Sequence, residues 1–591
     1  MRRNSKLVAL GVPIAVVALG AAACGGGGSS SAQGASGPSG HKGGVLKVLA
    51  EKDPTYVDAT DAYEDASYGL LRLTQRQLYS NPSSNNQSAR AANVPDLADG
   101  MPTVSADSLT WTIKLKQGVK WNAPSGPRQI TAADEIRGLK MICNPTKQSF
   151  GASNYFTDTI EGMSAFCDGF ANVSPTDAAA LKNYEEATAI SGITAVNDST
   201  LTIKLTGPTA DFMHLLELPT ASPRPIEAMA YLPDSPDFRQ HTIADGPYQL
   251  RTYVPNKSFT FVRNPAWDST TDTLRKGYVN EVDVTVGVDP ANIQQQLQAG
   301  TADIGLGNEQ PPAAALATVL RTNDPNLVIN SSGGLSYLAF NMSGGGNKAL
   351  GDAQVRRAIN YAVNKQAISQ LIGGTKVAQP TGQILNASVV GPGFKQQDPY
   401  GTPNSAGDPV KAKAMLAAAG YPDGISLTLV YRSTGNNPKI AATLQQDLKA
   451  AGITLNLKQV VDFYDFLYDT SATKSGQWDL AAPGWNPDWE GSSERSFFSP
   501  LLDGRTLPPH SSNYGLYNDP AVNTAADNAL HTADQASSVA QWNAVDGQIM
   551  QDAPWVPLVI TPYANYHSSR AKNFQYYFGG DNGDLTNLYV Q

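Results

Sequence analysis

The sequence predicts an α/β protein of two or three lobes, and three observations carry that expectation. Within 408–460, helical segments run straight into strands: DPVKAKAMLAAAGYPDG leads to LTLVY, and NPKIAATLQQDLKAAGI leads to TLNLKQV, the alternation of α/β architecture. Period-two alternation marks half-buried antiparallel strands in LTWTIKLKQGVKW (109–121) and DSTLTIKLTGP (198–208). After residues 1–23 the remaining 568 residues, in a chain that is 41% apolar, are more than one core organises.

From the N-terminus, Arg2, Arg3 and Lys6 precede the uncharged stretch LVALGVPIAVVALGAAA, which ends at Cys24. This is the pattern of a signal peptide over 1–23, with a retained membrane helix as the alternative; the run is short for a span and contains Pro13. Cleavage before Cys24 would leave its thiol first in the mature chain, available to a diacylglycerol thioether. The segment resembles a bacterial lipobox, with Ala21 where leucine is most common and Leu19 two positions earlier. The bland alternative is a secretory signal with an incidental cysteine. Residues 24–44 then read as a lipidated cysteine and a Gly/Ser tether, reaching about 25 Å on average.

In the body, GGVLKVLA opens with strand-like alternation. ITAADEIRGLKMICNP (130–145) is a helix with Thr131 as N-cap, Asp134 and Glu135 in the first turn, and Pro145 after its end. Cys143 and Cys167, the cysteines left once Cys24 is assigned, are expected to pair in an exported chain, closing a loop that stabilises by roughly 3 kcal/mol. Two buried thiols are the alternative. DAQVRRAINYAVNKQAISQLIGG (352–374) carries apolar residues at helical spacing up to a Gly-Gly stop.

Charge and motifs exclude several functions. The formal charge is −9, and −12 without Arg2, Arg3 and Lys6; no basic run remains, which argues against nucleic acid as a partner. The six histidines are scattered, with no HExxH or other ligand spacing, so no metal site is proposed by the sequence. The dipeptide Gly-Lys is absent, as are GxSxG and GxGxxG, and no cofactor is expected. The most unusual local chemistry is WDLAAPGWNPDWEGSSERSFF (478–498), where Trp485 and Trp489 flank Asn486 and Asp488 after Gly484. Aromatics beside an acid on a loop suggest a ligand wall; the plainer reading makes both tryptophans core and Asp488 a turn acid.

Several segments together resemble family 5 of the extracellular solute-binding proteins, the dipeptide and oligopeptide receptors of ABC importers. They are LTWTIKLKQGVKWN with ITAADEIRGLK, ADGPYQL, FVRNPAWD, QQQLQAGTADIG, YLAFNMSGGGNKALGDAQVRRAINYAVNKQAI, DPVKAKAMLAAAGYPDG, WDLAAPGWNPDWEG and DAPWVPLVI. The resemblance implies a three-lobed periplasmic-binding-protein-like (class II) fold with a hinged ligand cleft. Lobe I would comprise 44–75, 205–285 and 555–591, lobe II 76–204 and lobe III 286–554, with VNEVDVTVGVD (279–289) near one of two hinge strands. In peptide-binding members the loop matching GWNPDWE contacts the peptide, and the aspartate at the place of Asp488 pairs with its terminal ammonium. Pro487 departs from the common pattern and removes one backbone donor. DATDAYED (58–65) would face the ligand from lobe I, through Tyr63.

The expectation is therefore a monomeric, lipid-anchored receptor on the extracytoplasmic face of the bacterial cytoplasmic membrane. It would capture peptides, perform no reaction, and deliver its ligand to a permease driven by a separate ATPase. The expected site residues are Asp488, Trp485, Asn486, Gly484, Trp489 and Tyr63. The rivals are the same receptor for an oligosaccharide, siderophore or metal chelate, an exported enzyme, and a peptide sensor that never imports.

Overall fold

The computed structural model describes residues 41–591 except 147–151, 308–309, 509–510 and 581. The signal segment 1–23, Cys24 and nearly all of the tether lie outside the described residues. Among the described residues, no helix is long and apolar enough to cross a membrane.

Three sheets organise the body. The first has five strands in the order Tyr248–Val254, Ser258–Arg263, Glu281–Val286, Val45–Ala50 and Ile304–Gly305. Val45–Ala50 runs parallel to Glu281–Val286, from Val45 opposite Glu281 to Ala50 opposite Val286. Their alternation sends Leu46, Val48, Val282 and Val284 into one core with Tyr248 and Phe261. The expected hinge segment 279–289 thus contains a central strand of this sheet.

The second sheet is antiparallel, joining Thr103–Val104, Thr110–Lys114, Thr200–Lys204 and Ile193–Asn197. Ile113, Leu201 and Ile203 are buried in a core shared with the helix Ala132–Met141. That helix begins with a capping exchange in which Asp134 accepts from the Thr131 backbone N–H at 3.1 Å. A disulfide joins Cys143, just past its end, to Cys167 in the helix Met163–Phe170.

The third sheet has seven strands; Gln379–Pro380, Trp555–Ile560, Leu335–Phe340, Leu480–Ala481, Ile425–Arg432 and Ile453–Val460 run in that order, and Gly484–Trp485 also pairs with Leu335–Phe340. Ile425–Arg432 and Ile453–Val460 are parallel in register, joined by the helix Asn437–Ala450, the βαβ unit that the alternation predicts. Trp555–Ile560, grouped by the sequence reading with 44–75 and 205–285, pairs here with Leu335–Phe340; Ile304–Gly305, grouped with 286–554, pairs with Val45–Ala50. The segment 352–374 forms two helices, Ala353–Ala362 and Lys365–Ile372, rather than one. Val363 is extended between them, and the Asn364 side chain caps the second helix by accepting from Ala367 N.

Candidate ligand-binding site

The loop 484–495 leaves the third sheet at Gly484–Trp485, whose register sets Trp485 opposite Leu335 and Gly484 opposite Ser336. Trp485 is half-buried, with its indole N–H donating to the Ser496 carbonyl at 2.9 Å. The turn packs against Gly333, whose φ of +74° suits glycine; a β-carbon there would approach Pro487 and Val389.

Asp488 is half-buried. Its Oδ2 accepts from the Tyr63 hydroxyl at 2.8 Å and from the Tyr155 hydroxyl. Burial pushes its carboxyl up to about 7, against the lowering effect of the two phenols and with a contribution from the Asp65 charge. No cation lies within ion-pairing distance of Asp488 among the described residues. Tyr155 is held from behind by Arg495, which donates to its carbonyl at 2.9 Å and stacks over its ring at 5.3 Å.

The next residues turn the other way. Trp489 is 1% exposed, meets Tyr155 edge-on at 5.3 Å and stacks on His214 at 6.0 Å within the core of the second sheet. It does not line the cleft, which corrects the expectation that both tryptophans form the ligand wall. An indole on this side of the turn buries more apolar surface in the core than it could against a solute. Glu490 is clamped by Arg90 through two bonds, at 2.6 and 2.7 Å, with both side chains 1% exposed. Burial still pushes the Glu490 carboxyl up to about 7.

In front of Asp488 lies a cleft of about 380 Å³. Tyr63, Gly484, Trp485, Asn486 and Asp488 line one part of it. The rest was not anticipated: Ser336, Arg432, Tyr464, Tyr468 and Tyr514. Arg432 ends the strand Ile425–Arg432, its guanidinium 5.5 Å from the Tyr464 ring and 6.0 Å from that of Phe463. Its Nε is buried without a hydrogen-bond partner among the described residues. The signal in the sequence is slight: a lone arginine closing an apolar strand, in LVYRSTG.

The cleft thus presents a carboxylate and a guanidinium on a tyrosine-rich surface, an arrangement that can hold a solute carrying both charges. Among the described residues, no group of three or more His, Cys, Asp or Glu side chains is placed to hold a metal ion.

Comparison with known proteins agrees with this architecture. Residues 93–506 match the bacterial extracellular solute-binding proteins, family 5 middle. The Glutathione-binding protein GsiB of Salmonella typhi is 25% identical over 518 residues, covering 86% of this chain and 88% of the relative. Among solved structures, the Clavulanic acid biosynthesis oligopeptide binding protein 2 superposes with a TM-score of 0.79 at 25% identity, over 94% of this chain and 96% of the other. The Escherichia coli murein tripeptide binding protein MppA shares the fold, with a TM-score of 0.73 at 21% identity over 93% and 99%. With its matching segments spread along most of its length, the chain belongs to family 5 of the bacterial extracellular solute-binding proteins.

Proposed function

We propose that this protein is the receptor of an ABC importer for short peptides, binding them in the cleft between Asp488 and Arg432. One observation carries the reading: a carboxylate and a guanidinium of opposite sign line a single cleft and are not paired with each other. A free peptide brings an ammonium to one and a carboxylate to the other. The tyrosines and Trp485 cover the chain between them with little demand on its sequence. Tyr63 and Tyr155 hold Asp488 in position, and an arriving cation would favour its ionised form.

The name of the Salmonella typhi relative raises glutathione, a tripeptide with one ammonium and two carboxylates. Arg432 is the one cation among the described residues lining the cleft, which favours a peptide with a single carboxylate. The family, and the lack of a recognisable nucleophile–base constellation among the described residues lining the cleft, favour binding without reaction.

We further read the protein as three hinged lobes, one around each of the main sheets, with Trp555–Ile560 moved to the third. The basic residues, apolar run and Cys24 of the leader support a diacylglyceryl anchor on the outer face of the membrane. Labelling with a palmitate analogue should mark the protein, and Cys24→Ala should abolish the label; a variant still labelled and membrane-bound would contradict the anchor.

Native mass spectrometry of protein purified without refolding tests the ligand class. A series of retained peptide masses is the expected result. A single non-peptide mass would contradict the reading.

A further inference from the structure

The two ends of the main cleft differ in what they offer. At one end Tyr63 donates to Asp488 at 2.8 Å. At the other, Arg432, Tyr464 and Gly484 meet. The guanidinium lies 5.5 Å from the Tyr464 ring, and the Tyr464 hydroxyl donates to the Gly484 carbonyl at 3.4 Å. A β-carbon on Gly484 would stand 3.9 Å from Arg432 Nη2, which sets that nitrogen beside the Gly484–Trp485 strand.

Tyr464 and Tyr468 stand four residues apart in the helix Phe463–Tyr468, so both rings leave it on one side. Each is half-buried and lines the cleft. Tyr514, 3% exposed, supports them from 6.1 Å and, edge-on to Tyr468, from 5.4 Å. The polar atoms of these side chains already have partners within the protein. Tyr464 is bonded to the Gly484 carbonyl, the Tyr468 hydroxyl lies 3.0 Å from Ser512 Oγ, and the same serine bonds Tyr514. Trp485, also in the lining, gives its indole N–H to Ser496. What this end presents to a ligand is therefore ring surface beside one guanidinium. Such surface gains most from a second ring set edge-on or offset against it. A guanidinium held against a ring, meanwhile, keeps in-plane N–H groups for a carboxylate.

We propose that the tyrosine wall beside Arg432 is a specificity subsite that selects an aromatic side chain on the ligand's carboxyl-terminal residue. The inference rests on the peptide reading of the main cleft, and it adds a demand at one end of a ligand whose middle is covered with little selectivity. With the terminal carboxylate on Arg432, the side chain next to it opens onto Tyr464 and Tyr468. An aliphatic side chain would bury similar area there without the ring–ring attraction. A polar one would lose water and meet hydroxyls that are already bonded. A basic one would meet the like charge of Arg432.

The test is calorimetric titration of the full chain with four tripeptides: Ala-Ala-Phe, Ala-Ala-cyclohexylalanine, Ala-Ala-Ala and Phe-Ala-Ala. Ala-Ala-Phe should bind at least about 10-fold more tightly than Ala-Ala-Ala and about 3-fold more tightly than the cyclohexylalanine peptide. Phe-Ala-Ala, with its ring at the Asp488 end, should gain less than about 3-fold over Ala-Ala-Ala. Tyr468→Leu keeps apolar bulk and removes the ring, so it should bring the phenylalanine and cyclohexylalanine peptides to equal affinity while Ala-Ala-Ala binding stays constant. Tyr464→Leu should do the same and serves should Tyr468→Leu fail to fold; the four peptides on the unmodified protein decide the matter without either variant. Equal binding of Ala-Ala-Phe and Ala-Ala-Ala overturns the subsite and leaves the peptide reading standing. So does equal binding of Ala-Ala-Phe and Phe-Ala-Ala, of the phenylalanine and cyclohexylalanine peptides, or a ratio that both variants leave unchanged. Failure of all four peptides to bind overturns the peptide reading, and the subsite with it.

Discussion

The loop 484–491 carries two tryptophans and two acids, and the fold treats the members of each pair oppositely. Trp485 and Asp488 look into the cleft, half-buried. Trp489 and Glu490 are turned away and 1% exposed, one in the core of the second sheet and one against Arg90. Glu490 has a full counter-charge and is committed to structure. Asp488 has phenol donors, which orient a carboxylate without neutralising it, and so it retains a charge to offer. The difference separates an acid that holds the loop from one that faces the cleft, two residues apart in sequence.

Breaking the structural side should have the largest effect. Arg90→Ala leaves Glu490 buried without its cation and should cost about 3–5 kcal/mol of stability by urea denaturation. Asp488→Asn should cost little, because its burial already disfavours the charge. If the two variants unfold at the same urea concentration, the division of the loop is wrong. Trp489→Ala comes next, opening a hole against Tyr155 and His214 at a cost of about 3–4 kcal/mol. Trp485→Ala should lose less stability and more peptide affinity, measured side by side by denaturation and titration. The reverse pattern would exchange the roles of the two rings.

The smallest effect, and the one that sharpens the contrast most, is in pH. Asp488 has a folded value of about 7 against an ordinary 3.8, so ammonium binding must displace its proton at lower pH. Affinity for a free-amine peptide should fall by about tenfold per unit between pH 6.5 and 5. Stability moves the other way. Asp488, Glu490 and Glu494 are raised to about 7, 7 and 8, so the folded protein holds these protons more tightly than the unfolded chain. Their contribution is unfavourable above pH 8 and is relieved as pH falls toward the ordinary carboxylate range. The ligand-free protein should therefore be more stable to heat at pH 6 than at pH 8.5. Parallel losses of affinity and stability on acidification would contradict this account.

Much of the architecture was legible because it rests on local pattern. The parallel pair Ile425–Arg432 and Ile453–Val460 follows from helices that run into strands, and the strand Thr110–Lys114 from its alternation. The break at Val363 was not legible, since apolar spacing continues across it and only Asn364 offers a cap. In the site, the loop around Asp488 stands out by composition, but composition does not say which side of a turn faces a cleft, and it leaves Trp489 as readily on a ligand wall as in the core. Tyr155 reaches Asp488 across 333 residues of chain, and Arg432 gains its meaning from the surface opposite it. Such long-range pairings have no local signature.

The central claim is that Asp488 holds a ligand ammonium while Glu490 holds the loop. The most direct test is calorimetric titration of the unmodified protein and Asp488→Asn with a tripeptide and its N-acetylated counterpart. The account predicts that Asp488→Asn weakens the free peptide by roughly 30-fold or more, in the range for removing one partner of a buried ion pair. The acetylated peptide should bind both proteins with the same low affinity. If Asp488→Asn binds the free peptide as tightly as the unmodified protein does, Asp488 is a turn acid fixed by two tyrosines, and the claim is contradicted.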